Sequence, residues 1–445
     1  MSKNQLNIKH TSSNQAEVLL LDNGIELIVK EMPDVESVSV GVFTKVSGYQ
    51  EPESLRGIAH FLEHMLFKGT VRRKSKQITQ EIDALGGSIN AHTSREYTGY
   101  TAMLLAENYY KGLDVLLDLF FCANLTQEDC DIEKKVISEE INMYEDTPDD
   151  IIHDLFVQAL WGEHALGQPI LGTKQSIHRI TSKCLKTFYK NYFTQENTCL
   201  VVVGKLGKLK HLIRWLNQWM GRYVTLDKSL KNNKEPYSKP KNLSRFCFLQ
   251  KDIEQFHLCL GNPGLSCFDK DRFALGLLST ILGGSMSSRL FQKIREKHGW
   301  AYSVYSYAAY YQPSGFFNIY AGIGPQYFKK SLNVLFKECD KLCQKPVSKR
   351  ELIRSKAQFK GHLILGLERP SSWMYFIARR YIQSKKLPDL REIQENIDVI
   401  EQSTIQKVAQ KLLLKGNMSL AVVGPKSKYI NQEDNFKSLV DMHLV

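Results

Sequence analysis

Apolar and polar positions along this chain follow two periods, one of two residues and one of about 3.6, and stretches of each kind alternate. Residues 16–29, 38–47 and 88–104 carry the short period and predict strands. Residues 76–85 and 106–121 carry the long one and predict amphipathic helices. Further along, the Tyr-rich run 301–311 and residues 315–322 predict a hairpin. Faces of this kind are buried when a mixed sheet is backed by helices, which gives an α+β fold. Residues 126–146 predict another helix, with Thr126 capping it toward Asp129 and Pro148 marking its far end. Its apolar positions Ile132, Val136, Ile137, Ile141 and Tyr144 form one stripe, and Glu133 and Glu140 lie in that stripe, about two turns apart. Glu139 points elsewhere, and Glu128, Asp129 and Asp131 suit the positive end of the helix dipole.

The pattern occurs twice. Thr198–Gly204 recurs at residues 418–424, and residues 38–41 recur at 258–261; 424 minus 204 and 261 minus 41 are both 220. A common offset at both ends predicts two homologous lobes made by internal duplication. They are placed at residues 1–225 and 246–445, joined by a basic, Pro-containing linker at 226–245.

The chemistry concentrates in residues 57–67, an apolar segment interrupted by His60, Glu63 and His64. On a helix these three share one face. One buried His is usually a core residue satisfied by a hydrogen bond. Three unpaired titratable groups on one buried turn would each cost several kcal/mol, roughly 2–7 even for a neutral polar group. A metal ion satisfies all three at once: two histidines grip it, and the carboxylate serves as a base toward water. A tetrahedral site needs one more protein ligand, and the buried stripe of residues 126–146 is the best supplier, through Glu133 or Glu140. Shifting His60, Glu63 and His64 by 220 lands on Thr280, Gly283 and Gly284, so the second lobe keeps the helix pattern without the ligands.

These residues resemble the inverted-motif zinc peptidases, the family of pitrilysin, insulin-degrading enzyme and the mitochondrial processing peptidase, and most of all its short, two-domain members. The resemblance implies a zinc endopeptidase acting on short or unfolded polypeptides, with one Zn2+ per chain held by His60, His64 and Glu140. It makes Glu63 the general base and Glu133 the supporter of a ligand. The run 294–304 resembles a second family signature, in which Arg295 and Tyr302 bind the substrate backbone and the developing oxyanion. Residues 86–91 resemble the start of the edge strand that receives the peptide, which gives Asn90 and Ala91 a substrate-binding role. His92 is not used by the family, and His164 reads as structural. Family architecture implies a closed chamber of four lobes, so a two-lobed chain is expected to pair as a homodimer, each site completed in trans. The alternative is a non-catalytic or partner-dependent peptide-binding subunit of a processing complex, in a heterodimer with a homologous chain.

Composition agrees with this reading. The 445 residues, 43% hydrophobic and 24% charged, describe a soluble globular chain of two or three domains. The longest nearly apolar stretch, 273–286, is too short to span a bilayer. Residues 1–15 are polar and predict no signal peptide; Lys3, Lys9 and His10 without acids faintly resemble a transit peptide. The expected compartment is therefore the cytoplasm, with the mitochondrial matrix or a related organelle as the alternative. Nine cysteines without Cys-x-x-Cys spacing predict free thiols in a reducing compartment, Cys339 and Cys343 among them as packing residues. The net charge of +12 gathers partly in Lys228, Lys231, Lys234, Lys239 and Lys241 of the linker, without the spacing of a nucleic-acid reader. Glu139, Glu145, Asp146, Asp149 and Asp150 would attract a basic peptide if they lined the cleft; a solvated helix end fits equally.

Overall fold

The computed structural model describes residues 15–224, 237–243, 245–413, 415–427 and 430. Strands β1 (Glu17–Leu20), β2 (Glu26–Glu31), β3 (Ser37–Thr44), β4 (Ser88–Thr93), β5 (Thr98–Leu105) and β6 (Thr198–Gly204) form one sheet in the order β1-β2-β6-β3-β5-β4. Strands β7 (Phe246–Gln250), β8 (Phe256–Pro263), β9 (Ala301–Tyr310), β10 (Gly315–Ile323) and β11 (Ser419–Gly424) form a second, in the order β7-β11-β8-β10-β9. Within each sheet one pair is parallel, β2 with β6 and β7 with β11, and the others are antiparallel.

The second sheet therefore repeats the first without β1, and β4 and β9 stand at corresponding edges. The repeat is inexact in register. Gly41 pairs with Val201, whereas Gly261 pairs with Ser419, two residues short of the position a uniform offset would give. A slip of two keeps every side chain on its own face.

Three predicted strands are shorter or divided. Residues 16–29 are the hairpin of β1 and β2, turning at Gly24 with φ 83°, and residues 88–104 are the hairpin of β4 and β5. β3 stops at Thr44 rather than residue 47. Alternation ran through both turns because short polar turns do not break a period of two. The hairpin predicted at 301–311 and 315–322 is formed by β9 and β10.

The first half carries helices α1 (Ile58–Leu66), α2 (Ser75–Ala84), α3 (Tyr109–Phe121), α4 (Gln127–Asp146), α5 (Pro148–Trp161), α6 (Lys174–Arg179), α7 (Ser182–Tyr192) and α8 (Leu209–Tyr223). The second carries α9 (Arg272–Leu282), α10 (Phe328–Gln344), α11 (Lys349–Gly366), α12 (Pro370–Ser384), α13 (Leu390–Asp398) and α14 (Gln402–Leu412), with a π-helical turn at Phe291–Lys297. The offset of 220 fails for α9, which ends before Gly283, so Gly283 and Gly284 lie beyond it. Its sequence still contains no His, Asp or Glu.

β3 and β6 are almost wholly buried, which explains their near-continuous apolar runs. One face of each sheet packs on helices of its own half. The other face is covered by a helix of the opposite half. α5 lays Ile152, Phe156 and Leu160 on Cys259, Phe316 and Val423 of the second sheet. α12 lays Met374, Ile377 and Tyr381 on Ile28, Phe43 and Val201 of the first. The two lobes have thus exchanged their covering helices.

Part of the predicted linker, residues 226–236 and 244, lies outside the described residues, Lys228, Lys231 and Lys234 among them. Residues 237–243 run packed rather than free: Tyr237 stacks on Tyr49 at 4.3 Å, and the Leu243 amide donates to Leu160 O. All nine cysteines are free thiols, with Cys339 buried in the second core. Among the described residues no helix is long and apolar enough to cross a membrane.

Candidate active site

Helix α1 begins at Gly57, whose φ of 88° and lack of room for a Cβ (2.5 Å from Leu171 O) admit only glycine. Glu51 holds this end, accepting from the Gly57 and Ala59 amides at 3.0 Å each. One turn on, His60 and His64 stack edge to face at 4.7 Å. α4 crosses α1, and its Thr126 cap is formed as expected, accepting from the Asp129 amide at 3.1 Å. The stripe of α4 needs correction, however. Ile137 and Ile141 are buried, but Ile132 and Val136 are 50% and 46% exposed. The buried side runs instead through Cys130, Glu133, Ile137 and Ile141, because the partner of α4 is the polar face of α1.

The structure separates the two glutamates. Glu140 faces both histidines, with Oε2 3.3 Å from His64 Nε2 and Oε1 3.7 Å from His60 Nε2. Ligand atoms of His60, His64 and Glu140 all lie within 4.8 Å of one another. Ligands at zinc bond lengths of about 2.0–2.2 Å stand roughly 3.4 Å apart in a tetrahedron, so two of these spacings already match. Glu133, 1% exposed, sits behind: its Oε2 accepts from His64 Nδ1 at 2.9 Å, and its other oxygen meets the Lys68 ammonium. That bond fixes a proton on Nδ1 and turns Nε2 toward Glu140, the nitrogen that would bind a metal once deprotonated. Among the described residues His60 Nδ1 is buried with no hydrogen-bond partner.

Titration follows from these contacts. Burial, aided by the neighbouring His64, lowers the pKa of His60 to about 4 and keeps its imidazole neutral. Burial opposes charge on His64 too, but Glu133 and Glu140 outweigh it and raise its pKa to about 9. Glu140 is lowered, first by its hydrogen bond with His64. In Glu133 burial is overcome by His64 and Lys68, and the carboxyl is lowered as well. Glu63 is raised by burial, though the Thr93 hydroxyl, donating to Oε2 at 2.5 Å, offsets part of the rise.

The second signature converges on itself but not on this cluster. Arg295, on the π-helical turn, lies 5.0 Å over the ring of Tyr302, which is 76% exposed at the start of β9. Among the described contacts none links either residue to His60, Glu63, His64 or Glu140. Asn90 is exposed on the edge strand β4, and its Oδ1 accepts from the Ala91 amide at 2.9 Å. The preceding turn needs Gly86 at φ 65° and Gly87, whose Cβ would meet Met103 O at 2.8 Å. His92 stacks edge-on against Phe43, Tyr97 and Tyr375 and joins no cluster. His164 caps a turn through the Leu166 amide and bonds Ser238.

The acidic run is dispersed: Glu145 and Asp146 meet Lys174 and Lys251, while Asp149 bonds His257 and Tyr320 of the other lobe. Glu51 and Thr93 are the residues the sequence reading missed. Their contacts span 8 and 30 residues, and neither belongs to a recognisable spacing.

Comparison with known proteins bears on the same residues. Residues 27–174 match the family described as Insulinase (Peptidase family M16). Over 403 residues the chain is 36% identical to a Bacillus subtilis protein named uncharacterized zinc protease YmxG, covering 91% of this chain and 97% of that one. The chain belongs to peptidase family M16. A second match, described as Peptidase M16 inactive domain, covers residues 179–359 and so includes α9, the helix without ligands. Another relative, uncharacterized zinc protease SCO5738 of Streptomyces coelicolor, is 33% identical over 415 residues, 91% of this chain and 88% of that one. The crystal structure of a protease from Helicobacter pylori shares the fold, with a TM-score of 0.85 at 24% identity over 93% of this chain and 100% of that one. M16 membership thus agrees with a two-lobed mixed α/β architecture, and the relatives' names place the chain among proteases.

Proposed function

We propose that this M16 member is a zinc endopeptidase for short or unfolded polypeptides, with His60, His64 and Glu140 holding one Zn2+ per chain. The supporting observation is the gathering of these three ligands on the face that also presents Glu63. When bound, zinc would polarise the scissile carbonyl and acidify water at the site. Glu63 then takes a proton on Oε1, since Oε2 is held by Thr93, and returns it to the leaving amine. Its burial-raised pKa suits a group that must both accept and release a proton.

Among the described residues β5 is the only strand paired with β4, so a peptide would add along its other edge beside Asn90 and Ala91, displacing the Asn90 oxygen from the Ala91 amide. Arg295 and Tyr302 would bind the substrate carbonyl and oxyanion.

Since these two do not reach the cluster of their own chain, the reading includes a homodimer whose sites are completed in trans. Exposed apolar positions 11 residues apart on α4 (Ile132, Met143) and on its counterpart α11 (Ile353, Ile364) support burial against a second copy. Mixing Arg295→Ala with Glu63→Gln should recover activity that neither has alone; two fully inactive parents giving an inactive mixture would exclude completion in trans.

The primary test is metal content by mass spectrometry together with cleavage of a quenched fluorescent basic peptide. About one zinc per chain is expected in wild type and in Glu63→Gln, with cleavage falling by roughly 10²–10⁴-fold in the variant. Zinc without cleavage in the wild type would favour the partner-dependent subunit. Absence of metal in both would refute the peptidase.

A further inference from the structure

Away from the metal ligands, α9, α11 and α12 line a partly open cavity of about 200 Å³. Three arginines converge on it, Arg272 from the start of α9 and Arg379 and Arg380 from α12; its walls are the rings of Phe273, Phe359 and Phe376. Arg272 donates to Asp269 O at 3.0 Å and lies 4.2 Å over the Phe273 ring, and Arg379 donates to Tyr310 O at 3.2 Å. These are main-chain partners; Arg272 and Arg380 are half-buried, and Arg379 is exposed. Among the described residues none of the three has a carboxylate within 4.0 Å. Elsewhere in the molecule half-buried Arg73, Arg95 and Arg289 each have one, whereas half-buried Arg56 is likewise held by a main-chain oxygen, that of Gly48. Glu392 acts on Arg272 only at a distance, and Glu96, near Arg379, is already engaged by Gln383 and the Gln312 amide. Burial, with the neighbouring Arg380, lowers the pKa of Arg272 by more than Glu392 raises it.

We propose that this cavity binds a small organic anion, a carboxylate or phosphate carried on a single ring or short aliphatic body. Guanidinium forks match such oxyanions in paired hydrogen bonds, and the three phenylalanines offer the apolar body its contact. The size agrees, since a cavity of about 150 Å³ suffices for benzene. Gln383 lines the cavity and also donates to Glu96 of the other lobe at 2.7 Å, so occupancy would brace the seam between α12 and the first sheet. The inference does not rest on peptidase activity.

The test is titration calorimetry and thermal melting of the full-length protein at constant ionic strength. The probes are phenyl phosphate, phenylacetate, inorganic phosphate and the neutral phenylacetamide. One site per chain is expected for at least one aromatic anion, with a rise in Tm and at least tenfold weaker binding of phenylacetamide. Arg380→Gln should weaken the anion at least tenfold, and Arg380→Lys, which keeps the charge without the fork, by less. Phe359→Trp keeps every charge but fills the cavity and should block binding, which covers the case of a poorly folded Arg380→Gln. The proposal is overturned if neither aromatic anion binds saturably at millimolar concentration, or if Arg380→Gln and Phe359→Trp bind like the wild type. Inorganic phosphate binding as tightly as phenyl phosphate would overturn the organic body.

Discussion

Glu133 stands almost out of solvent between His64 Nδ1 and the Lys68 ammonium, and it touches neither Glu140 nor His60. Its effect on a metal must therefore pass through the tautomer and orientation of His64. Replacing it with alanine leaves Lys68 without its partner and frees the imidazole to turn. Metal affinity should fall about 10–100-fold in a chelator competition assay, as for other groups behind a ligand. The sequence showed that Glu133 and Glu140 share the buried side of α4 but could not say which faces the histidines, because that depends on how α1 crosses. The same crossing explains the error at Ile132 and Val136: the side turned inward centres on Glu133 and Ile137, which leaves those two apolar residues on its exposed flank. The contribution of Thr93 to holding Glu63 was illegible, since a threonine in a strand has no spacing that marks it.

At the scale of elements, periodicity identified helices but not the sheet each one covers. α5 and α12 are ordinary amphipathic segments in sequence, and each lies on the sheet of the other half. Phe156 of α5 is fully buried against Phe316, and the absence of a Cβ at Gly261 gives its ring room, a Cβ there lying 2.9 Å from Phe156 Cζ. Phe156→Ala should cost about 3–5 kcal/mol in urea denaturation. Because the residue belongs to one half and its cavity to the other, both halves should lose stability in one shared transition. A variant whose second half alone melts early would contradict the exchange.

Across the whole molecule, Glu96 is a buried pin. It belongs to the turn between β4 and β5, and it accepts from the Gln312 amide at 2.6 Å and from Gln383 at 2.7 Å, both in the other half. Burial raises its pKa, only partly offset by these bonds and by the more distant Arg379 and Lys45. An acid with a raised native pKa favours the fold when protonated. Its contribution is fully present below the unfolded value of about 4.3 and is lost as pH rises through the native value. Glu96→Gln cannot ionise, so the stability of the variant relative to wild type should increase with pH across that window and then level off, as read from urea melts at successive pH values. A flat difference would show that Glu96 does not titrate between the folded and unfolded states.

The exchanged helices also bear on how the protein is made. The last strand of the first sheet ends at Gly204, but the helix that covers its outer face ends only at Ser384, 180 residues later. At about 5–20 residues per second, a ribosome needs some 10–40 s to supply that cover. Throughout that interval the nascent chain presents Ile28, Phe43 and Val201 bare on a formed or forming sheet. Production of this protein is therefore expected to depend on whatever shields apolar surface at the ribosome exit during the second half of synthesis.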